Sequence, residues 1–180
     1  MKKESKNKKH PTIFPFVTII VPAHNEEKTI TDTINSIFNL NYPKNKLELI
    51  VVNDGSTDAT KQKITELINL NKTKNISLIN QQNQGKAKSL NNALKMAKGE
   101  LFACLDADSI VEGNTLSKMV QFYQENPTLA IVTPAMRIKN PKTLFQKFQR
   151  LEYLASMFIA RIMGHLDMIY VAPGPFSLYR

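Results

Sequence analysis

The sequence predicts an α/β fold in which a mostly parallel sheet is covered by helices on both faces. Two observations predict it. Short β-branched and apolar runs alternate with segments whose apolar residues recur every three or four positions. The runs also end in, or lead into, clusters of polar residues, as at the carboxyl edge of an open α/β sheet, where ligands bind. A length of 180 residues suits one domain with a real core.

The first strand is expected at 17–21, the run VTIIV, and the others at 47–52, 76–79, 101–105 and 129–133. Helices are expected between them at 27–40, 58–70, 86–98 and 115–124. Ile30, Ile34, Ile37 and Phe38 keep a helical period in the first, as do Ile64, Leu67 and Ile68 in the second. From Asn140 the character changes. Asn140 reads as a cap, Pro141 as the first helical residue, and Leu144, Phe148, Leu151, Ala155, Phe158 and Ile162 as one stripe of an amphipathic helix over about 141–163. Gln146, Lys147, Gln149, Arg150 and Glu152 mostly take the other side. Two readings of that stripe stay open: a helix capping the sheet, or one lying in a membrane interface or against further chain. The stretches MIYVAPG and FSLYR read as a return to extended structure.

The formal charge of +9 does not mark a nucleic-acid surface, because five lysines and one glutamate in the first ten residues place +4 of it in a tail. Residues 1–15 are expected to be a basic disordered tail, either solvated or drawn to an anionic membrane surface. The apolar run that follows is too short for a signal peptide and meets HNEE at once, and no stretch of 18 apolar residues forms a transmembrane span. A single cysteine, Cys104, excludes an internal disulfide and reads as a small core residue.

Four strand ends gather the candidate chemistry: PAHNEE, NDGSTD, NQQNQGKAK and DAD. Taken singly they have modest readings. Glu26 and Glu27 suit a helix start, Asp58 suits a cap, His24 suits a loop surface and Lys86 suits solvent. Asp54, before a turn glycine, stays a site candidate. A phosphate loop of the G-x-x-x-x-G-K-[ST] kind is excluded by Asn80 and Ala87, and no G-x-G-x-x-G follows the first strand. Asp106 and Asp108 follow an apolar run and share a face if strand geometry continues that far. About 6 Å apart at an effective dielectric near 20, they would repel by roughly 3 kcal/mol. A divalent cation, Mg²⁺ or Mn²⁺, shared with a nucleoside diphosphate relieves that repulsion, with Lys86 beside the diphosphate. The alternative is two solvated acids opening a loop.

Together, VTIIVPAHNEEKTI, ELIVVNDGSTDAT, NQGKAKSLNNALKMAKGE and LFACLDADSIV resemble the family 2 glycosyltransferases of the GT-A fold, a Rossmann-like α/β/α sandwich. LEYLASMFIARIM followed by VAPGPFSLYR is similar to the membrane-bound polysaccharide synthases of that family, of the cellulose, chitin and hyaluronan synthase type. The resemblance runs from about Val17 to Arg180, and four motifs in order make it specific. It implies a UDP-sugar donor, a saccharide or lipid-linked acceptor, and a place on the cytoplasmic side of the cell membrane. It also implies that Pro22, Ala23 and His24 line a nucleobase pocket, that Glu26 holds the nucleoside and that Asp54 accepts from a uracil imide. Lys86 would contact the diphosphate, Asp106 the ribose and diphosphate side, Asp108 the metal, and Gly174 and Pro175 the sugar and acceptor. The family's acidic general-base motif is expected beyond Arg180, which makes this chain the donor-binding half. Two rivals remain, a non-catalytic nucleotide-sugar-binding module and a haloacid dehalogenase-like phosphatase, whose acid pair normally lies on an early strand.

Overall fold

A computed structural model describes residues 13–71, 75–166, 168 and 175–180. Four parallel strands form its centre: β1 (Val17–Ala23), β2 (Leu47–Asp54), β3 (Ile76–Gln81) and β4 (Leu101–Cys104). They are linked by α1 (Ile30–Phe38), α2 (Thr60–Leu70) and α3 (Lys86–Leu94) and followed by α4 (Thr115–Glu125). Two short strands, β5 (Ile131–Val132) and β6 (Leu178–Tyr179), flank a long helix, α5 (Leu144–His165). The sheet order is β3-β2-β1-β4-β6-β5.

Both faces of β1 and β2 are buried, and strand alternation divides their residues between two cores. Val17, Ile19, Val21, Leu49 and Val51 pack with Ile30, Ile34 and Ile37 of α1, Ile64 and Leu67 of α2, and Leu116 and Val120 of α4. Ile20, Ile50 and Val52 turn the other way onto Ala93 and Leu90 of α3. Helices therefore cover both faces, as the sequence predicts. Thr18 and Glu48 share the second face, and their buried polar atoms are satisfied. Thr18 Oγ1 donates to Glu48 Oε2 (2.8 Å) and accepts from the Gly99 amide (2.9 Å), while the Lys98 amide donates to the same Glu48 oxygen (3.1 Å).

Three expectations are corrected. The strand expected at 129–133 shortens to β5 and does not extend the parallel set: β6 lies between it and β4, antiparallel to both. Tyr123 fastens this edge, its hydroxyl lying within hydrogen-bond distance of the carbonyls of Ala130 (2.6 Å) and Leu178 (2.9 Å), between which its one proton is shared. The expected tail runs too far, since Phe14 packs edge-on against Tyr42 (centroids 5.2 Å apart) and the Pro15 carbonyl accepts from the Tyr42 hydroxyl (2.7 Å). Residues 1–12 lie outside the described residues.

The third correction concerns the start of α5. Asn140 adopts φ +50, and the cap is Thr143, which accepts from the Gln146 amide (3.2 Å) while Gln146 Oε1 accepts from the Thr143 amide (3.1 Å). The orientation of the same helix, which the sequence leaves open, follows from its burial. Gln146, Gln149, Tyr153 and Met157 are half-buried, whereas Leu144, Phe148, Leu151 and Phe158 stand 60–70% exposed. The apolar stripe faces away from the sheet, so this helix does not cap it.

Candidate functional site

Because β1, β2 and β4 are parallel, their carboxyl ends open on one edge. A cleft of about 250 Å³ lies there. From the end of β1 it takes Pro22, Ala23, His24 and Glu26, and from the end of β2 it takes Asp54. Lys86 and Ser89 of α3 and the Asp106–Ala107–Asp108 turn complete it. The four polar clusters that lie far apart in the chain thus line one space.

Asp54 is nearly buried (4% exposed), and its carboxylate is held by three donors. Oδ1 accepts from Gln81 Nε2 (2.7 Å) and the Gln84 amide (2.9 Å), and Oδ2 accepts from the Gly85 amide (2.8 Å). Burial pushes the carboxyl's pKa up, but those hydrogen bonds to the charged form outweigh it, and the net shift is below the ordinary value of 3.8. A carboxylate offers about four lone-pair positions, so one remains, on Oδ2. Gly85 takes φ +84 to turn its amide inward at the head of α3. Gly55 takes φ +66 in close contact with the neighbouring loop, where an added Cβ would stand 2.6 Å from the Asn83 nitrogen.

The loops after β1 and β2 lock together. His24 Nδ1 lies 2.7 Å from the Asp54 carbonyl, which only accepts, so Nδ1 donates here and Nε2 is the ring's other polar atom. Asn83 Nδ2 lies 3.3 Å from that Nε2. Glu27 and Asp58 brace each other's loops and do not take the capping roles expected of them, since the N-caps of α1 and α2 are Thr29 and Ala59. Asp58 Oδ2 accepts from the Glu27 amide (3.1 Å), Glu27 Oε2 accepts from the Ala59 amide (3.1 Å), and Asp58 Oδ1 takes the Thr60 amide (3.0 Å). Glu26 accepts at Oε2 from the Thr29 hydroxyl (2.7 Å), which aims the rest of its carboxylate at the cleft.

The acid pair is placed differently from the expectation. β4 ends at Cys104, and Asp106 opens a turn closed by the Ser109 amide on the Asp106 carbonyl (3.0 Å). Ala107 points into the core, where its carbonyl accepts from the Thr33 hydroxyl (2.8 Å). The common direction of Asp106 and Asp108 therefore comes from a turn and not from strand alternation. Lys86 supplies positive charge, its Nζ bonded to Asp106 Oδ1 with the two side chains 56% and 31% exposed. Burial pulls the Lys86 pKa down, and the Asp106 hydrogen bond more than reverses this, leaving it raised. Asp108 is exposed, with one oxygen accepting from the Ser109 hydroxyl (3.2 Å). Burial pushes the Cys104 thiol up to about 11, consistent with an unreactive core residue.

No group of three His, Cys, Asp or Glu side chains among the described residues could hold a metal. Two carboxylates on one rim nevertheless fit a hard divalent ion that takes its remaining ligands from diphosphate oxygens and water.

Pro175 does not line the cleft among the described residues. It precedes Phe176, whose amide donates to the Cys104 carbonyl (2.6 Å), so its turn sits beside the DAD turn. Gly174 lies outside the described residues. Sequence reading passed over Ser89 and Gln81. Ser89 stands one turn after Lys86 on the same helix face, a spacing visible in KAKS. Gln81 becomes visible only through the strand register, which sets it opposite Asp54.

The chain matches the model for "Glycosyl transferase family 2" over residues 18–180. It is 33% identical over 165 residues to a poly-beta-1,6-N-acetyl-D-glucosamine synthase of Staphylococcus epidermidis, covering 91% of this chain and 39% of the relative. A synthase of the same name from Staphylococcus aureus (strain COL) is 34% identical with the same coverage. The chain thus spans about two fifths of the length of the curated relatives it matches. Among solved structures, the mannosyltransferase PcManGT from Pyrobaculum calidifontis, in complex with GDP-Man and Mn²⁺, superimposes with TM-score 0.76 at 27% identity, over 99% of this chain and 48% of that one. S. aureus TarS 1-349 with UDP-GlcNAc gives 0.63 at 32% identity, over 71% and 36%. The family match over residues 18–180, joined to relatives more than 30% identical over 91% of the chain, shows that this chain belongs to glycosyl transferase family 2.

Proposed function

We propose that residues 13–180 form the donor-binding unit of a metal-dependent inverting glycosyltransferase. It would move a sugar from a UDP-sugar to a saccharide or lipid-linked acceptor. The single observation that carries this reading is the meeting of Asp54, Lys86, Asp106 and Asp108 in one cleft at the strand ends. Similarity to PcManGT with GDP-Man and Mn²⁺ and to TarS with UDP-GlcNAc supports a nucleotide-sugar and a divalent ion.

On this reading Pro22 and Ala23 form the wall against which the nucleobase lies, and His24 offers Nε2 beside it. Asp54 uses its remaining Oδ2 lone pair for the uracil imide N–H, which favours UDP over purine nucleotides. Glu26 holds the nucleoside. Lys86 leaves Asp106 for the diphosphate, which frees Asp106 to join Asp108 in holding Mg²⁺ or Mn²⁺. Such an ion, when bound, stabilises the charge that develops on the departing diphosphate. Gly174 and Pro175 would face the sugar and acceptor, with the following turn anchored on Cys104. Inversion needs a carboxylate that takes the acceptor hydroxyl's proton, and the cleft residues, all engaged with the donor, are assigned no such role.

The outward stripe of α5, with Lys139, Lys142, Lys147 and Arg150 nearby against Glu152, supports contact with an anionic membrane surface on the cytoplasmic side. No helix among the described residues is long and apolar enough to cross a membrane.

The test is calorimetric titration of the chain with UDP in the presence of Mn²⁺. Asp108→Ala is expected to bind UDP about tenfold or more weakly than wild type, since a charge-assisted ligand contact is lost. Equal affinities would refute the metal assignment.

A further inference from the structure

The parallel register of β2 and β3 pairs Asp54 with Gln81, the last residue of each strand. Gln81 lies between Asp54 and α3 and uses its side-chain amide on both sides. Its Nε2 donates to Asp54 Oδ1 (2.7 Å) and to Ser89 Oγ (3.2 Å), while its Oε1 accepts from Asn92 Nδ2 (2.8 Å). Ser89 and Asn92 are three residues apart, hence on one face of α3, and Ser89 is fully buried.

The chemistry of the groups fixes the direction of this chain of bonds. Asp54 as a carboxylate only accepts, so the nitrogen of Gln81 must face it. That choice turns Oε1 toward α3, where the Asn92 NH₂ donates to it. The Asn92 amide is therefore oriented in turn. The other two donors to Asp54 are backbone amides of one loop, at Gln84 and Gly85. Gln81 is thus the side-chain contact that fixes the twist of the carboxylate, and with it the direction of the remaining Oδ2 lone pair.

We propose that Gln81, itself oriented by Asn92, is a positioning residue for nucleobase selection: the Asn92–Gln81–Asp54 relay aims Asp54 at a base that carries an N3 proton. A pyrimidine of the uracil type is accepted. Cytosine, whose N3 holds a lone pair in place of the proton, is refused. This inference rests on the reading of Asp54 as the partner of the base.

The experiment measures UDP and CDP affinity, with Mn²⁺, for the wild-type chain and for Gln81→Leu, Asn92→Ala and Asp54→Ala. A hydrogen bond to a charged group corresponds to about tenfold or more in affinity, so wild type is expected to prefer UDP over CDP by at least that factor. Gln81→Leu is expected to weaken UDP about tenfold and leave CDP within about twofold, so that the preference collapses. Asn92→Ala moves the same ratio by a smaller factor. A loss of fold would weaken both nucleotides together, so the ratio separates positioning from general damage. Should Gln81→Leu fail to fold, Asn92→Ala at a half-buried position of α3 carries the test. If Asp54→Ala abolishes the preference while the Gln81 and Asn92 variants keep it within about twofold, the relay is overturned and the Asp54 reading survives. If wild type itself shows no preference, the Asp54 reading falls and the relay with it.

Discussion

Gly55 shows how tightly single residues constrain the cleft. Its φ of +66 and the 2.6 Å approach of an added Cβ to the Asn83 nitrogen leave no low-strain place for a side chain. Gly55→Ala is expected to destabilise the chain by about 1–3 kcal/mol, read from the urea midpoint of unfolding. A midpoint equal to wild type would show that the two loops can separate freely. Asp54, Asp106 and Asp108 could be singled out in the sequence because they closely follow apolar runs, and Lys86 because it stands at the start of a helical pattern. The bond between Lys86 and Asp106 was not legible, since twenty positions separate them and only the meeting of α3 with the β4 edge brings them together. Gln81 was hidden for a similar reason: an amide at a strand end gains meaning only from the carboxylate on the next strand.

Among the elements, α1 to α4 and β1 to β4 follow from apolar periodicity, although their ends shift. The first helix begins at Ile30 and not at 27, because Glu26 is drawn into contact with Thr60 at the head of α2 and Glu27 with Asp58 in the loop after β2. The third stops at Leu94, short of 98, where the Lys98 and Gly99 amides turn to Glu48 and Thr18. In α5 the periodicity correctly forecasts an amphipathic helix and is silent about which side faces the protein. If the outward stripe meets anionic lipid, the chain is expected to float with phosphatidylglycerol-containing vesicles. Replacing Phe148 and Phe158 together by Glu should then abolish flotation with no change in the thermal unfolding midpoint, because both residues stand more than 60% exposed. Undiminished flotation of the double variant would remove α5 from membrane contact.

For the whole molecule, acid is the informative perturbation. Asp54 and Asp58 are both held below the ordinary carboxyl value of 3.8; burial opposes this in each, and hydrogen bonds to the ionised form prevail. A carboxyl depressed in the folded state adds stability that is complete above its unfolded pKa and is lost as pH falls through the folded one. The urea midpoint is therefore expected to fall below about pH 3.8, and Asp54→Asn should flatten that fall. An unchanged acid slope in Asp54→Asn would show that the three donors to this carboxylate contribute nothing net to folding.

Taken by itself, the sequence determined the alternation of strands and helices, the parallel centre of the sheet and the polar clusters at its strand ends, because periodicity and turn chemistry are local. Tertiary structure alone decided that β6 enters between β4 and β5, that Asp106 and Asp108 align through a turn and that Lys86 neutralises one of them. It also decided that α5 shows its apolar side outward. Each of these depends on which surfaces meet across long separations in the chain, and neither residue type nor spacing records such a meeting.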